Sequence, residues 1–525
     1  MTTLSSLNQA IPSVSSPSPA TSTSTSSASK AAAQNSATPP SSAVVTLSQA
    51  TPASPLQIYT SLGIQANAAP TETWESNSTD AVSTLMARNY VNPSLASRFS
   101  GLGSALLNQF SSTGTNFSQS VQTTYGNSAG SLGQIGGGTQ ADVELTIVTK
   151  SGVEVDLTLD SNQEGLSVSV KSNGPLSGAE QGALAKLSGA FQSAINGLST
   201  NPPSLNLSGL TQFDPSVLAS VNLQSSVTTN GQPVQSIAFA DNSSGKTVSV
   251  TEPSGTIKLS VNASDSLIEG NQQQRTQAIN QYLQQFDDAN TRGHGDAALM
   301  AVFKDAFTQM NSGGPSQSGS ATDYAPSISG AQSAILTGLD DFSASITDTS
   351  IASNPMRPTE MDTFSYQVSQ QTDVQGDQWN GAISQQQQSH LSASYHAPLS
   401  SDAPLKLTLL PKSQNYDYMT INDDAESTTS LAYQKGQITQ ASLNQSASQS
   451  TDDSTYMQGK LVSSTATPSK ASGSSDLLAL LKPYLTSNPT SQNTDQWQQI
   501  LSDIHSQIFL QANPASLNES QDSLA

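Results

Sequence analysis

The stretch AISQQQQSHLSASYHAPL, residues 382–399, decides which kind of fold this chain can have. As an irregular polar tract it would be a Gln-rich segment prone to β association. As a strand it shows a clear pattern, because side chains of a strand alternate between two faces. The apolar members would share one face and the polar members the other: Leu391, Ala393, Tyr395 and Ala397 against His390, Ser392, Ser394 and His396. We therefore interpret the Gln run as the end of a long, polar-faced strand.

Alternating apolar residues recur on both sides of this stretch and dominate the second half of the chain. They predict antiparallel strands that tight turns join into β-meanders. The predicted strands lie near residues 143–147, 153–159, 166–170, 234–239, 246–251, 256–262, 364–368, 405–409, 416–420, 431–433 and 438.

Apolar residues spaced three and four apart predict helices around these strands. The clearest helix start is Ser177 followed by Glu180, a capping box in which each side chain satisfies the backbone N–H of the other. A short helix is predicted with Asp214 as its cap and Pro215 at its first position. Further helices are predicted after Thr79 or Asp80, after Pro93, and near residues 184–198, 279–286, 299–310, 477–481 and 497–508.

These patterns predict an α+β protein in which antiparallel β-meanders pack with helices. Only 34% of the 525 residues are hydrophobic and 5% are aromatic, so part of the chain must lie outside any core. Composition divides the chain into a disordered Ser/Thr/Pro/Ala-rich leader at 1–70, an α+β body at 71–312, a linker at 313–326, an antiparallel β-rich domain at 327–470 and a helical tail at 471–525.

The charge balance argues against two classes of partner. Asp and Glu number 39 against 18 Lys and Arg, and the formal charge of −21 repels phosphate backbones and anionic lipid headgroups. We expect no nucleic-acid partner and no membrane partner. No run approaches the roughly 18 apolar residues of a spanning helix, and the start MTTLSSLNQAIPSVSS lacks the basic and apolar regions of a cleaved signal peptide. The expected protein is cytoplasmic when made and reaches the medium or the cell surface, if it does so, by a signal-peptide-independent route.

The histidines are the first candidates for chemistry, since the chain has no cysteine for thiolate catalysis or metal binding. His390 and His396 would share one face of a strand, but six residues of strand span roughly 20 Å, too far for one metal ion. His294 and His505 lack a partner at the spacing of the zincin motif H-E-x-x-H. We interpret each of the four as a surface or strand-face residue.

Other motifs also fail to define a site. The run GSLGQIGGG at 130–138 precedes a strand, whereas a dinucleotide fingerprint follows one, so we interpret it as a loop. The acidic pairs Asp423/Asp424 and Asp452/Asp453 lack the ligand order of an EF-hand; weak calcium contact is open, and solvated turns are the expectation. No G-x-S-x-G elbow follows a buried strand. The sequence therefore assigns no catalytic, cofactor-binding or metal-binding residue and predicts no cofactor.

Three segments carry a resemblance that covers most of the chain after the leader. They are STDAVSTLMARNYVNPSLASRFSGLGSALLNQFSSTGTNFSQSV (78–121), LSGLTQFDPSVLASV (207–221) and SNPMRPTEMDTFSYQVSQQTDVQG (353–376) with the later ISQQQQSHLSASYHAPLS (383–400). Together they resemble a family of uncharacterised Ser/Gln-rich proteins of pseudomonad-type Gram-negative bacteria. Some similar sequences carry a lactate dehydrogenase name, but no His/Arg/Asp set or nucleotide fingerprint of this chain supports that activity.

Three functions from different classes follow as hypotheses. The first is a non-enzymatic interaction or surface-associated protein whose long polar strands present binding area. The second is an export accessory or regulator with the composition of flagellar hook-length proteins. The third is an enzyme of unknown type, with the dehydrogenase name as its least supported form.

Overall fold

The computed structural model describes residues 71–124, 139–162, 165–198, 200, 204–263, 268–312, 326–377, 379–400, 404–485 and 491–522. The predicted leader at 1–70, the glycine-rich run at 130–138 and nearly all of the predicted linker at 313–326 lie outside these residues. The statements that follow concern the described part of the chain.

Strands and helices both occur along the described chain. The strands are β1 (Thr71–Trp74), β2 (Phe117–Thr124), β3 (Thr139–Thr149), β4 (Glu154–Ser161), β5 (Gly165–Ser172), β6 (Leu218–Thr229), β7 (Gln232–Asn242), β8 (Gly245–Glu252), β9 (Gly255–Asn262), β10 (Phe342–Asp348), β11 (Thr363–Gly376), β12 (Asn380–Pro398), β13 (Tyr416–Gln434), β14 (Gln437–Met457) and β15 (Lys460–Asp476). The helices are α1 (Ala81–Asn89), α2 (Leu95–Arg98), α3 (Leu102–Thr113), α4 (Gly178–Leu198), α5 (Gln272–Gly293), α6 (Ala297–Ser312), α7 (Pro326–Ile335), α8 (Leu477–Leu485), α9 (Ser491–Gln507) and α10 (Pro514–Asp522).

The described strands form one 15-stranded antiparallel sheet. Its order is β1-β2-β5-β4-β3-β6, after which the strands follow in chain order to β15. The prediction of antiparallel meanders accompanied by helices is confirmed at this level. Strand β9 pairs directly with β10, so strands from the predicted body and from the predicted β-rich domain belong to the same sheet. The proposed division of the chain at 313–326 stays a prediction.

Two-residue turns connect several of the long strands. Asn230 and Gly231 between β6 and β7 have φ values of 52° and 75°, and Lys435 and Gly436 between β13 and β14 have 53° and 72°. Positive φ at both positions gives a turn whose twist matches that of the flanking strands. An Xaa-Gly dipeptide suits this turn, because glycine adopts positive φ without steric cost.

The sheet has an apolar face, which helices cover, and a polar face. Residues 382–398 of the Gln-rich stretch are confirmed as part of strand β12, with Leu391 and Ala393 buried and Ser392 exposed. Helix α6 packs on β9 and β10, α5 on β12 and α7 on β13. Aromatic side chains fill the space under α5 and α6; they are Tyr282, Phe286, Phe303, Phe307 and Phe342.

Glutamines of the Gln run lie buried on the helix-covered face. Gln387 Nε2 donates to the Ile508 carbonyl at 2.9 Å, and its Oε1 accepts from the Leu510 N–H at 3.2 Å. Gln385 Oε1 accepts from the Thr337 N–H at 2.9 Å. These backbone groups lie just after the C-terminal ends of α9 and α7. The run thus attaches helix ends to the sheet.

Two predicted helix starts agree with the structure, and one predicted helix is interrupted. Asp80 caps α1 by accepting from the Ser83 N–H at 2.9 Å. The capping box is confirmed, because Glu180 accepts from the Ser177 N–H at 2.7 Å and Ser177 Oγ from the Glu180 N–H at 3.3 Å. The predicted apolar stripe after Pro93 divides into α2 and α3, because Gly101 between them has a φ of 73°.

Two predicted elements are wrong. The Asp214 carbonyl accepts from the N–H groups of Val217 and Leu218, so the chain makes a single turn before β6 begins. The alternating run 405–409 is not a strand, and Leu409 is 71% exposed. Strand β12 already pairs with β11 on one edge and β13 on the other, so this run has no free edge of β12 to join.

The acidic pairs lie in strands, which corrects the expectation of solvated turns. Asp423 and Asp424 are in the middle of β13, and Asp452 and Asp453 are in β14. Since neighbours in a strand point to opposite faces, each pair divides its carboxylates between the two faces of the sheet. Asp423 is 6% exposed on the helix-covered face, whereas Asp424 is exposed on the polar face.

Candidate binding surface and histidine clusters

The polar face of strands β6 to β15 lines a single cavity of about 1390 Å³. Neighbouring strands lie roughly 4.8 Å apart, so ten of them cover an arc of roughly 43 Å. A flat surface of that width could not border one cavity. The sheet therefore curls around its polar face, and the helices lie on the opposite face.

Two rows of side chains run across the strands along this concave surface. One row passes from Asn222 through Ser260 and Ser369 to Ser472, and the other passes from Gln224 through Lys258 and His390 to Lys470. Each row follows directly opposed residues of successive antiparallel pairs, so its members lie about 5 Å apart. We call the surface formed by these two rows the polar trough.

The polar trough is rich in hydrogen-bonding groups and has few charges. Hydroxyl, amide and alanine side chains make up most of both rows, and neither row contains Phe, Tyr or Trp. His390 Nδ1 lies 2.8 Å from Asp424 Oδ1 across β12 and β13. Glu426 accepts from the Gln386 side chain at 2.8 Å, and the remaining charges are Lys258 and Lys470. Opposite charges are interspersed, so the surface offers no strong field of one sign.

His396 belongs to a separate, buried cluster on the polar face. Its Nδ1 lies 2.6 Å from Asp362 Oδ1, and its Nε2 lies 3.4 Å from Glu360 Oε2. The imidazole is 1% exposed. Burial raises the pKa of Asp362, but hydrogen bonds from His396 and Ser353 outweigh it and hold that pKa below its ordinary value. Glu360 also accepts from the Tyr416 hydroxyl at 2.7 Å.

The cluster contains a hydroxyl, a carboxylate and an imidazole, but their order differs from that of a serine hydrolase. Ser353 Oγ donates to Asp362 Oδ2, and His396 contacts Oδ1 of the same carboxylate. In a catalytic triad the imidazole contacts the hydroxyl and activates it. Here the carboxylate stands between the other two groups. The arrangement ties the connection between β10 and β11 onto strand β12.

His396 is a candidate residue in the sequence analysis, but no pattern in the sequence indicates which carboxylates contact it. Asp362 is 34 positions away in the chain, and the two residues meet because β11 pairs with β12. Pairing of β12 with β13 likewise places Asp424 beside His390, since residues directly opposed on two strands are neighbours. A correct prediction of strand register would have found the second pair, although not the first.

The remaining histidines occupy different environments. His294 ends α5 with a φ of 54° and stacks on Tyr395 with ring centroids 3.9 Å apart, and it is exposed as predicted. The prediction of a surface position is wrong for His505, which is buried in α9 against Phe509. Burial lowers the pKa of His505 below its ordinary value, because a charged imidazole loses hydration there.

Within the described ranges, no group of three or more His, Cys, Asp or Glu side chains is placed to hold a metal ion. The helices of those ranges are too short or too polar to cross a membrane. Comparisons with protein-family models, curated proteins and solved structures found no match. The resemblance to Ser/Gln-rich proteins of pseudomonad-type bacteria therefore stays a prediction.

Proposed function

We propose that this chain is a non-enzymatic interaction protein of the α+β class, and that its polar trough binds an extended, uncharged polypeptide segment of another protein. The supporting observation is a concave surface to which ten successive strands contribute, with a cavity of about 1390 Å³. A surface assembled from long paired strands is rigid, which reduces the entropy lost on binding.

The chemistry of the trough favours a peptide over other polymers. Serine hydroxyls and glutamine amides donate and accept hydrogen bonds, as the N–H and C=O groups of a peptide backbone require. The small size of Ser260, Ser343 and Ser369 keeps the middle of the trough wide. Sugars and nucleic-acid bases commonly stack on Trp, Tyr and Phe rings, and neither row contains one of these residues. The mixed charges do not favour a polyanion or a polycation.

The histidine clusters support a binding role better than a catalytic one. The His396 cluster is buried and its serine does not contact the imidazole. Within the described part of the chain, the imidazole of His390 contacts the Asp424 carboxylate and no serine or threonine hydroxyl. The His390–Asp424 pair joins β12 to β13, and the His396 cluster joins the β10–β11 connection to β12, so both stabilise the shape of the concave surface.

The test uses fluorescence anisotropy of a labelled peptide of about twelve Ser, Gln, Thr and Ala residues, which spans roughly 40 Å when extended. The full-length protein is titrated against the peptide in low and high salt. Ser343→Trp places a bulky ring in the middle of the trough on β10. Ser464→Trp is the matched control, because Ser464 is an exposed serine of β15 that does not line the cavity.

We expect saturable binding that changes little with salt, because hydrogen bonds between uncharged groups are not screened. Ser343→Trp should weaken binding at least about tenfold, equal to about 1.4 kcal/mol, and Ser464→Trp should leave it unchanged. Circular dichroism verifies that both variants fold. Absence of saturable binding, or equal binding by Ser343→Trp and the wild-type protein, would overturn the proposal.

A further inference from the structure

A second cavity of about 800 Å³ lies on the opposite, helix-covered face of the sheet. Its floor comes from strands β11 to β14, one wall from helix α5, and the other wall from residues 510–516, which follow α9 and include the start of α10. Leu391, Met419 and Ile421 make the floor apolar. The cavity is therefore formed by three separate parts of the chain and has walls of different chemistry.

Side-chain amides dominate the walls of this cavity. They belong to Gln281, Gln284, Gln285, Gln449, Gln511 and Asn513. An amide supplies two donors and one acceptor oxygen, so six of them offer many bonds in both directions. Gln285 Nε2 donates to the Leu510 carbonyl at 3.0 Å, while its buried Oε1 has no hydrogen-bond partner among the described residues.

The single arginine that lines the cavity forms an ion pair with a carboxylate of the sheet. Arg292 contacts Asp423 through Nε and through Nη2, the latter at 2.8 Å from Oδ1, and Nη2 also donates to Thr451 at 3.2 Å. Hydrogen bonding to Asp423 raises the pKa of Arg292, so the guanidinium keeps its charge and is paired with a carboxylate of the cavity. Asp288, a further carboxylate of the lining, would repel an anion. The electrostatics thus favour a neutral ligand.

The Tyr395 ring also lines the cavity, and its stacking with His294 fixes its position. An apolar floor, a fixed aromatic ring and walls of amides are complementary to a molecule with apolar C–H faces and many hydroxyl groups. We propose that this cavity is a binding site for a neutral saccharide. The site lies on the face of the sheet opposite the polar trough, so it does not depend on peptide binding there.

The test is saturation-transfer difference NMR of the full-length protein with glucose, N-acetylglucosamine, maltose, cellobiose and sucrose. We expect at least one of these sugars to bind with a Kd below about 10 mM. Gln284→Ala should weaken binding by about fivefold, the effect of one uncharged hydrogen bond. Gln273→Ala is the matched control, because Gln273 is an exposed glutamine of the same helix outside the cavity.

A second variant, Ala512→Trp, fills the cavity from residues 510–516 and should abolish binding. Ala512 follows α9 in an irregular segment, and circular dichroism verifies folding of the variant. The proposal is overturned if no sugar of the panel binds, if Ala512→Trp binds as the wild-type protein does, or if a neutral tripeptide competes for the cavity and the sugars do not. Retention of peptide binding by Ala512→Trp would separate this site from the polar trough.

Discussion

Replacement of Gln387 by leucine tests whether the Gln run attaches the helices to the sheet. Gln387 is fully buried, and its side chain contacts the Ile508 carbonyl, the Leu510 N–H and, at 3.1 Å, the Tyr282 hydroxyl. Leucine has a similar size and cannot form any of these bonds. The next residue, Gln388, is exposed on the polar face and provides a control of identical chemistry.

The expected loss follows from what each partner retains. The Ile508 carbonyl still accepts from Ser427 Oγ at 2.8 Å, and the Tyr282 hydroxyl still contacts Gln370 at 3.2 Å. The Leu510 N–H has no second acceptor among the described residues and becomes a buried donor without a partner, which costs about 1–3 kcal/mol. With a smaller loss from the other two bonds, we expect Gln387→Leu to lower the free energy of unfolding by about 2–4 kcal/mol.

Urea unfolding followed by circular dichroism measures this loss for Gln387→Leu and Gln388→Leu. The control should change stability by less than about 0.5 kcal/mol, as is usual for surface positions. Amide hydrogen exchange at Leu510 should become faster in Gln387→Leu alone. Equal destabilisation by the two variants, or unchanged exchange at Leu510, would refute the role assigned to the buried glutamines.

Three further predictions concern other parts of the molecule. Hydrogen bonds from Ser151 and Ser177 lower the pKa of Glu180 from 4.5 to about 2. The Glu180 carboxylate therefore stabilises the fold above pH 4.5, and this contribution is lost as the pH falls towards 2. Glu180→Gln should flatten the pH dependence of the urea midpoint between these two pH values. Burial raises the pKa of Asp241 from 3.8 to about 6, so ionisation of Asp241 opposes folding at neutral pH. Asp241→Asn should therefore raise the urea midpoint at neutral pH and have no such effect below pH 3.8. A protease site inserted within 313–325 and cut after folding should leave two fragments that co-elute in native size-exclusion chromatography, because β9 pairs with β10; separate elution would contradict a shared sheet.

The sequence predicted those strands whose two faces differ clearly. Strand β12 has apolar residues on one face and polar residues on the other beyond the Gln run, and its period of two was sufficient. Strand β15 is exposed on both faces from Lys460 to Lys470, so it has no alternation to detect. Strand β6 begins directly after the Asp214 turn, and the strong local cap signal suggested a helix there.

The candidate sites were less accessible to sequence analysis than the strands. Buried polar residues such as Gln385 and Gln387 resemble surface glutamines in the sequence, because their partners are backbone groups at distant helix ends. The curl of the sheet, which creates the polar trough, depends on twist accumulated over many strands. The cavity beside α5 requires residues 510–516, which lie more than 200 positions further along the chain.

The alternation within the Gln run restricts how this gene can change in length. Inserting one glutamine codon between Gln385 and Gln388 would reverse the phase of the strand that follows, because side-chain direction repeats every two residues. Leu391 would then face water, and His390 would be forced beneath the helices. Inserting two codons would restore the phase. Homologues should therefore differ in this tract by even numbers of residues, or carry a β-bulge that absorbs the odd one.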